Sequence, residues 1–156
     1  MSLINRIRNM SSLRRSLAVI IVAELLCLFS PAQTEQTTPN EFTEADASKL
    51  LSQVAEGLQG HSSRKMLGAF DLSRMDGGAQ FKEQITAFFN QYDTIRVHFK
   101  LVQVKDNEAT VDAEIDGTPR NAITPPEHKR LQLRFAVAKT AAGWKFLDVQ
   151  PRSFFS

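Results

Sequence analysis

The chain has a single cysteine, Cys27, among 156 residues, and only three histidines. One cysteine cannot close an internal disulfide, and Cys27 falls in the N-terminal stretch treated below as a leader. The domain that follows therefore has no thiol chemistry and no cysteine-based metal site. His61, His98 and His128 are scattered, with no HxH or HExxH spacing and no neighbouring His-Asp pair, so a zinc centre is not expected. No GxSxG elbow supports a serine hydrolase. No glycine-rich phosphate loop occurs either; Gly77-Gly78 stands alone and reads as the entry to a helix. No cofactor is implied.

A long hydrophobic run is also lacking. The longest, from Leu17 to Phe29, spans 13 residues and includes Glu24. A membrane-spanning helix needs about 20 apolar residues, and an acid near its centre costs roughly 3 kcal/mol. Arg6, Arg8, Arg14 and Arg15 precede the run, and the small residues Ser30 and Ala32 precede a plausible cut before Gln33. Residues 1–32 read as a signal peptide, and the chain as periplasmic or secreted. An uncleaved N-terminal anchor is the competing reading, and the only membrane contact envisaged. Arg14-Arg15 permits a twin-arginine route; the sequence before Cys27 lacks the small residues of a lipoprotein signal.

The leader also explains the charge. The whole chain carries +2, with 19 bases and 17 acids. Without the leader's four arginines and one glutamate, fifteen bases face sixteen acids, a formal charge of −1. The basic average thus gives no support for nucleic-acid binding. Residues 33–42 are polar, contain Pro39 and read as a flexible spacer. Residues 43–156 read as one domain, a size able to bury its own core.

That domain divides into a helical half and a strand half. Thr43 is a cap with Asp46 three residues on, and Ala47, Leu50, Leu51, Val54 and Leu58 make one helical stripe. A short second helix is predicted over 63–70. A third, over 79–92, carries the aromatic stripe Phe81, Ile85, Phe88, Phe89 and Tyr92. Period-two alternation then predicts strands over 95–101, 109–116, 130–137 and 144–149. Asp106-Asn107 is a tight hairpin turn. The fold class is therefore α+β: three helices on one face of a four-stranded antiparallel meander. On the wet face, Arg96, His98 and Lys100 are expected opposite Asp112, Glu114 and Asp116, with Arg130 and Arg134 beyond. Such cross-strand pairs fix register more than they stabilise.

The order of elements, the phenylalanine-rich third helix, Phe70-Asp71 and the closing Gly143-Trp144-Lys145-Phe146-Leu147-Asp148 strand resemble the nuclear transport factor 2-like (cystatin-like) superfamily. The resemblance covers about residues 43–152. It implies a cone with a pocket between sheet and helices, used by some members for catalysis, as in ketosteroid isomerases and polyketide cyclases, and by others for binding or dimerisation. Fold alone does not choose between these. The pocket is expected to be lined by Phe81, Ile85, Phe88, Tyr92, Val97, Phe99, Val111, Leu133, Phe135, Trp144 and Phe146. Inward positions of the first three strands hold no group able to transfer a proton.

Three residues could supply chemistry from elsewhere. Asp148 shares parity with Trp144 and Phe146 and could point inward; pairing with Arg152 is the simpler reading. Tyr92 could place its hydroxyl in the pocket, and Asp71 lies where a helix gives way to a loop. Ala136, Ala138, Leu147 and Val149 form an apolar corner on the outer sheet, suited to a homodimer or another protein partner, or covered by the tail with Phe154 and Phe155. The leading reading is a non-catalytic domain binding a small apolar ligand or a protein partner. The alternative is a cofactor-free lyase or isomerase using Asp148 or Asp71 with Tyr92.

Overall fold

A computed structural model describes residues 41–121 and 123–156. The leader and most of the spacer lie outside the described residues. Helix α1 (Glu44–Gln59) opens on the anticipated capping box. The Thr43 N–H donates to Asp46 Oδ2 at 3.1 Å, and the Asp46 N–H donates to Thr43 Oγ1 at 3.2 Å. Its stripe of Ala47, Leu50, Leu51, Val54 and Leu58 is buried. Phe42, assigned to the flexible spacer, is also buried and stacks edge-on against Trp144 at 5.2 Å. An apolar residue just before a helix cap commonly packs inward.

Helix α2 (Ser63–Leu67) packs closely on α1. A Cβ on Gly57 would sit 2.4 Å from the Met66 backbone nitrogen, so only glycine admits this approach. The helix ends three residues earlier than predicted. Phe70 leaves it to form a parallel bridge with Phe146, with the Phe146 N–H on the Ala69 carbonyl and the Asp71 N–H on the Phe146 carbonyl. This short segment covers the outer edge of the last strand. Helix α3 (Gly78–Gln91) stops one residue before Tyr92, whose backbone is already extended.

The sheet is an antiparallel meander in the order β1 (Tyr92–Lys105), β2 (Glu108–Pro119), β3 (Glu127–Thr140), β4 (Gly143–Gln150). Asp106 and Asn107 both take positive φ, 49° and 60°, as a two-residue hairpin turn requires. The charge ladder falls in the expected register: Arg96 opposite Asp116, His98 opposite Glu114, Lys100 opposite Asp112. A four-residue 3-10 helix (Arg152–Phe155) closes the described chain. The result is the expected α+β fold, three helices packed with a four-stranded antiparallel sheet.

Two irregularities change which way side chains point. In β1 the register shifts between Leu101 and Gln103, leaving Val102 51 % exposed and bringing Val104 against the core. In β4 the shift lies between Phe146 and Asp148, which pair with Val137 and Ala136. Leu147 is the extra residue. Val149, expected on the outer face, turns inward opposite Phe135 and is fully buried, while Asp148 turns outward. Leu131, expected inside, is 39 % exposed, because β4 pairs with β3 only from Arg134 onward.

Candidate functional site

The space between the helices and the sheet is filled with aromatic rings. Phe135 and Phe146 lie 4.5 Å apart between centroids, and Phe70 meets Phe81 at 5.1 Å. The 3-10 helix adds two more: Phe155 packs on Phe81 and Phe88 at 6.0 and 6.1 Å, with Phe154 beside it at 5.1 Å. Both tail rings are fully buried. Of the expected pocket lining, Phe81, Ile85, Phe88, Tyr92, Val111, Leu133, Phe135 and Phe146 are buried in this packing; Val97, Phe99 and Trp144 are only partly covered. No charged residue is buried among the described residues. The tail, expected to lie over the outer corner or leave it free, goes into the cone instead.

The three candidate acid–base residues have separate surroundings. Asp148 receives Arg152 Nη2 at 2.7 Å and Nε at 3.0 Å, and Gln150 Nε2 at 2.9 Å. Burial pushes its carboxyl up, but those hydrogen bonds, the Val149 N–H and the guanidinium charge outweigh it. The net effect holds Asp148 below the usual carboxylate value. Arg152 also donates to the Asp76 carbonyl at 2.7 Å, and Gln84 donates to the Arg152 carbonyl at 2.7 Å. Asp148 is thus the anchor of the tail that fills the cone. Asp71 accepts from the Ser73 hydroxyl at 2.6 Å, which chiefly lowers its pKa, and closes a turn.

Tyr92 is the most connected of the three. Its hydroxyl donates to Glu127, which sequence reasoning missed. Glu127 in turn pairs with Lys129 at 3.1 Å, and Lys129 donates to the Ser156 carbonyl. Burial, then the hydrogen bond to Glu127 and its charge, push the Tyr92 hydroxyl up to about 12. The same hydrogen bond holds Glu127 low. The Tyr92 carbonyl accepts from Arg120 Nε at 3.3 Å and faces His61 Nε2 at 3.1 Å. The ring lies against Gly117, where a Cβ would sit 2.4 Å from Tyr92 Cε1. A carboxylate held low is a weak base, and a phenol raised to about 12 is a weak acid. This pair therefore ties the start of β1 to the start of β3 across β2, and is poorly placed to move protons near neutrality. Glu127 was legible in principle: extending the pairing of Glu114 with Arg130 three rungs sets Glu127 opposite Gly117.

Open cavities lie on the surface. A groove of about 260 Å³ runs between α1 and β1, lined by Ser48, Ser52, Ala55, Val97, Phe99 and Leu101 among others. A shallow depression of about 600 Å³ on the charged sheet face is bounded by His98, Lys100, Asp112, Glu114, Arg130, Leu131 and Gln132. Another, of about 360 Å³, lies outside Tyr92 and Glu127 beside Arg120. The outer corner is smaller than expected. Val149 is lost to the core, and Leu147, Ala136 and Ala138 are half-buried. Among the described residues no group of three or more His, Asp or Glu side chains could hold a metal ion. No described helix is long and apolar enough to cross a membrane.

No family model and no curated protein matches the chain. Solved structures do. A candidate aromatic ring hydroxylase from Novosphingobium aromaticivorans aligns over 66 % of this chain and 82 % of its own, with a TM-score of 0.50 and 19 % identity. A protein of unknown function with a cystatin-like fold from Nostoc punctiforme aligns over 71 % and 96 %, with a TM-score of 0.47 and 16 % identity. A nuclear transport factor 2-like design with a long sheet aligns over 66 % and 96 %, at 0.48 and 13 %. At such identities the likeness is one of fold. The chain folds as a nuclear transport factor 2-like, cystatin-like α+β cone.

Proposed function

We propose that this chain is an exported, non-catalytic binding protein whose domain meets its partner at the surface of the sheet and not inside the cone. The observation that carries this is the closed interior, where Phe154 and Phe155 sit fully buried against Phe81 and Phe88. A small apolar ligand would have to displace packed rings, and each buried phenylalanine moved into water costs roughly 1.5–3 kcal/mol. The lyase or isomerase reading needs Asp148 or Asp71 to meet Tyr92 at one enclosed point. Each instead has its own partners: Arg152 for Asp148, Ser73 for Asp71, Glu127 for Tyr92.

Trp144 is the only tryptophan and reports on the core through Phe42. Titration of the purified protein with 1-anilinonaphthalene-8-sulfonate, followed by energy transfer from Trp144, is expected to show no saturable binding. Saturable micromolar binding that also raises the melting temperature would return the cone to the role of ligand pocket. The leader predicts that protein recovered from outside the cytoplasm begins near Gln33, which intact-mass measurement decides; an intact Met1 would favour the anchor.

A further inference from the structure

Among the described residues β1 is an edge strand: β2 pairs with one side of it and no described strand pairs with the other. Between its register shifts near Asp93 and Val102 it runs regularly from Thr94 to Leu101. Gln59 Nε2 donates to the Val97 carbonyl at 3.2 Å from the far side, so the Val97 peptide faces away from β2. By the alternation of an antiparallel ladder, the peptides of Ile95, Phe99 and Leu101 face the same way. The groove between α1 and β1 lies along this edge, where Gln59 holds the Val97 carbonyl in place of a strand. Its helix side is lined by Ser48, Leu51, Ser52 and Ala55, and its strand side by Val97, His98, Phe99 and Leu101.

The charges beside the edge are unbalanced. The acids of β2 are engaged from β3: Arg130 pairs with Glu114 at 2.5 Å, His128 with Asp116 at 2.7 Å, and Gln132 donates to Asp112 at 3.0 Å. The side chains of Arg96, His98 and Lys100 make no hydrogen bond or ion pair among the described residues. Read outward from β3, the face is basic, acidic, basic, and then open.

We propose that β1 accepts an extended peptide segment as a fifth strand, and that this segment alternates acidic with apolar residues. Its acids would face Arg96, His98 and Lys100 and continue the alternation of charge. Its apolar residues would enter the groove beside Val97, Phe99 and Leu101. Edge addition of this kind takes affinity from backbone hydrogen bonds and specificity from alternate side chains. A second copy of β1 is a poor occupant, because antiparallel pairing centred on His98 sets Arg96 against Lys100 of the other copy. The proposal rests on the surface-binding reading and gives it a site and a partner chemistry.

β2 already carries the required pattern, so a synthetic peptide of residues 109–116 (Ala-Thr-Val-Asp-Ala-Glu-Ile-Asp) is the probe. Added to the isotope-labelled protein, it is expected to shift the amide resonances of Ile95, Val97, Phe99 and Leu101, with binding that weakens as salt rises. A scrambled peptide of the same composition should bind at least about tenfold more weakly. The Arg96→Glu/Lys100→Glu variant should lose about tenfold in affinity for the acidic peptide. It should gain for a version with lysine at the three acidic positions. A circular-dichroism melt confirms that the variant is folded. Unmoved β1 amides at millimolar peptide, or equal binding of the scrambled sequence, would overturn the proposal. So would charge reversal without effect, which would leave the cations as guards against edge-to-edge pairing. None of these outcomes touches the cone titration, so the edge proposal and the surface reading can fail separately.

Discussion

Tyr92 is the only tyrosine in the chain, so its ionisation can be followed by absorbance without interference. Its hydroxyl is pushed up to about 12 by burial and by Glu127. A group whose folded pKa is raised gives stability that is full below its unfolded value and is lost as pH rises through the folded one. Alkaline titration should therefore show a midpoint near 12 in the folded protein and about 10 in urea. Glu127→Gln removes the negative charge and should bring the folded midpoint down, without reaching the urea value, since burial remains. A folded midpoint of about 10 in the parent would mean that the hydroxyl is solvated and the tie to β3 absent. Sequence reasoning singled out Tyr92 but assigned it to a helix end. It missed the partner because Glu127 follows Pro125-Pro126 in what reads as a loop, and only the pairing register brings it opposite Gly117.

The elements themselves were largely legible, because periodicity is a local property of the chain. Thr43 with Asp46 marked the first helix, and the odd-numbered apolar residues marked the strands. Bulges are different: one extra residue leaves the composition unchanged and reverses every direction after it. At Leu147 this sent Asp148 outward to Arg152 and Val149 into the core. It turned a catalytic candidate and part of an expected interface away from the faces expected of them. Asp148 then has a measurable task in holding the tail. Its depressed carboxyl contributes stability that is present above the usual carboxylate range and is lost as pH falls through the folded pKa. Asp148→Asn should cost about 1.5–3 kcal/mol at neutral pH, the scale of hydrogen bonds to a charged group. The gap from the parent, measured by urea denaturation, should close in acid, where both side chains are neutral. A gap independent of pH would show that the charge of Asp148 does not matter to the anchor.

For the molecule as a whole, what matters is where the tail goes. The sequence shows Phe154 and Phe155 as an apolar pair expected to cover the outer sheet or leave it free, and the structure puts both in the interior instead. Long-range packing decides this: Phe81 and Phe88 on α3 offer Phe155 a cleft at about 6 Å on two sides, and Arg152 is tied to Asp148, Asp76 and Gln84. The space between the helices and the sheet is thus filled by the chain's own residues. Truncating the filler should restore a cavity. Phe155→Ala is expected to cost about 3–5 kcal/mol, and Phe155→Leu less, since most of the volume is kept. An apolar cavity of that origin stays dry and takes up small aromatic molecules. Benzene or indole should therefore raise the melting temperature of the Phe155→Ala protein and leave that of the parent unchanged. Should Phe155→Ala fail to fold, Phe155→Val tests the same point with a smaller void. A parent stabilised by benzene to the same degree would mean that the tail leaves room beside it, and that the cone is open to ligands as it stands.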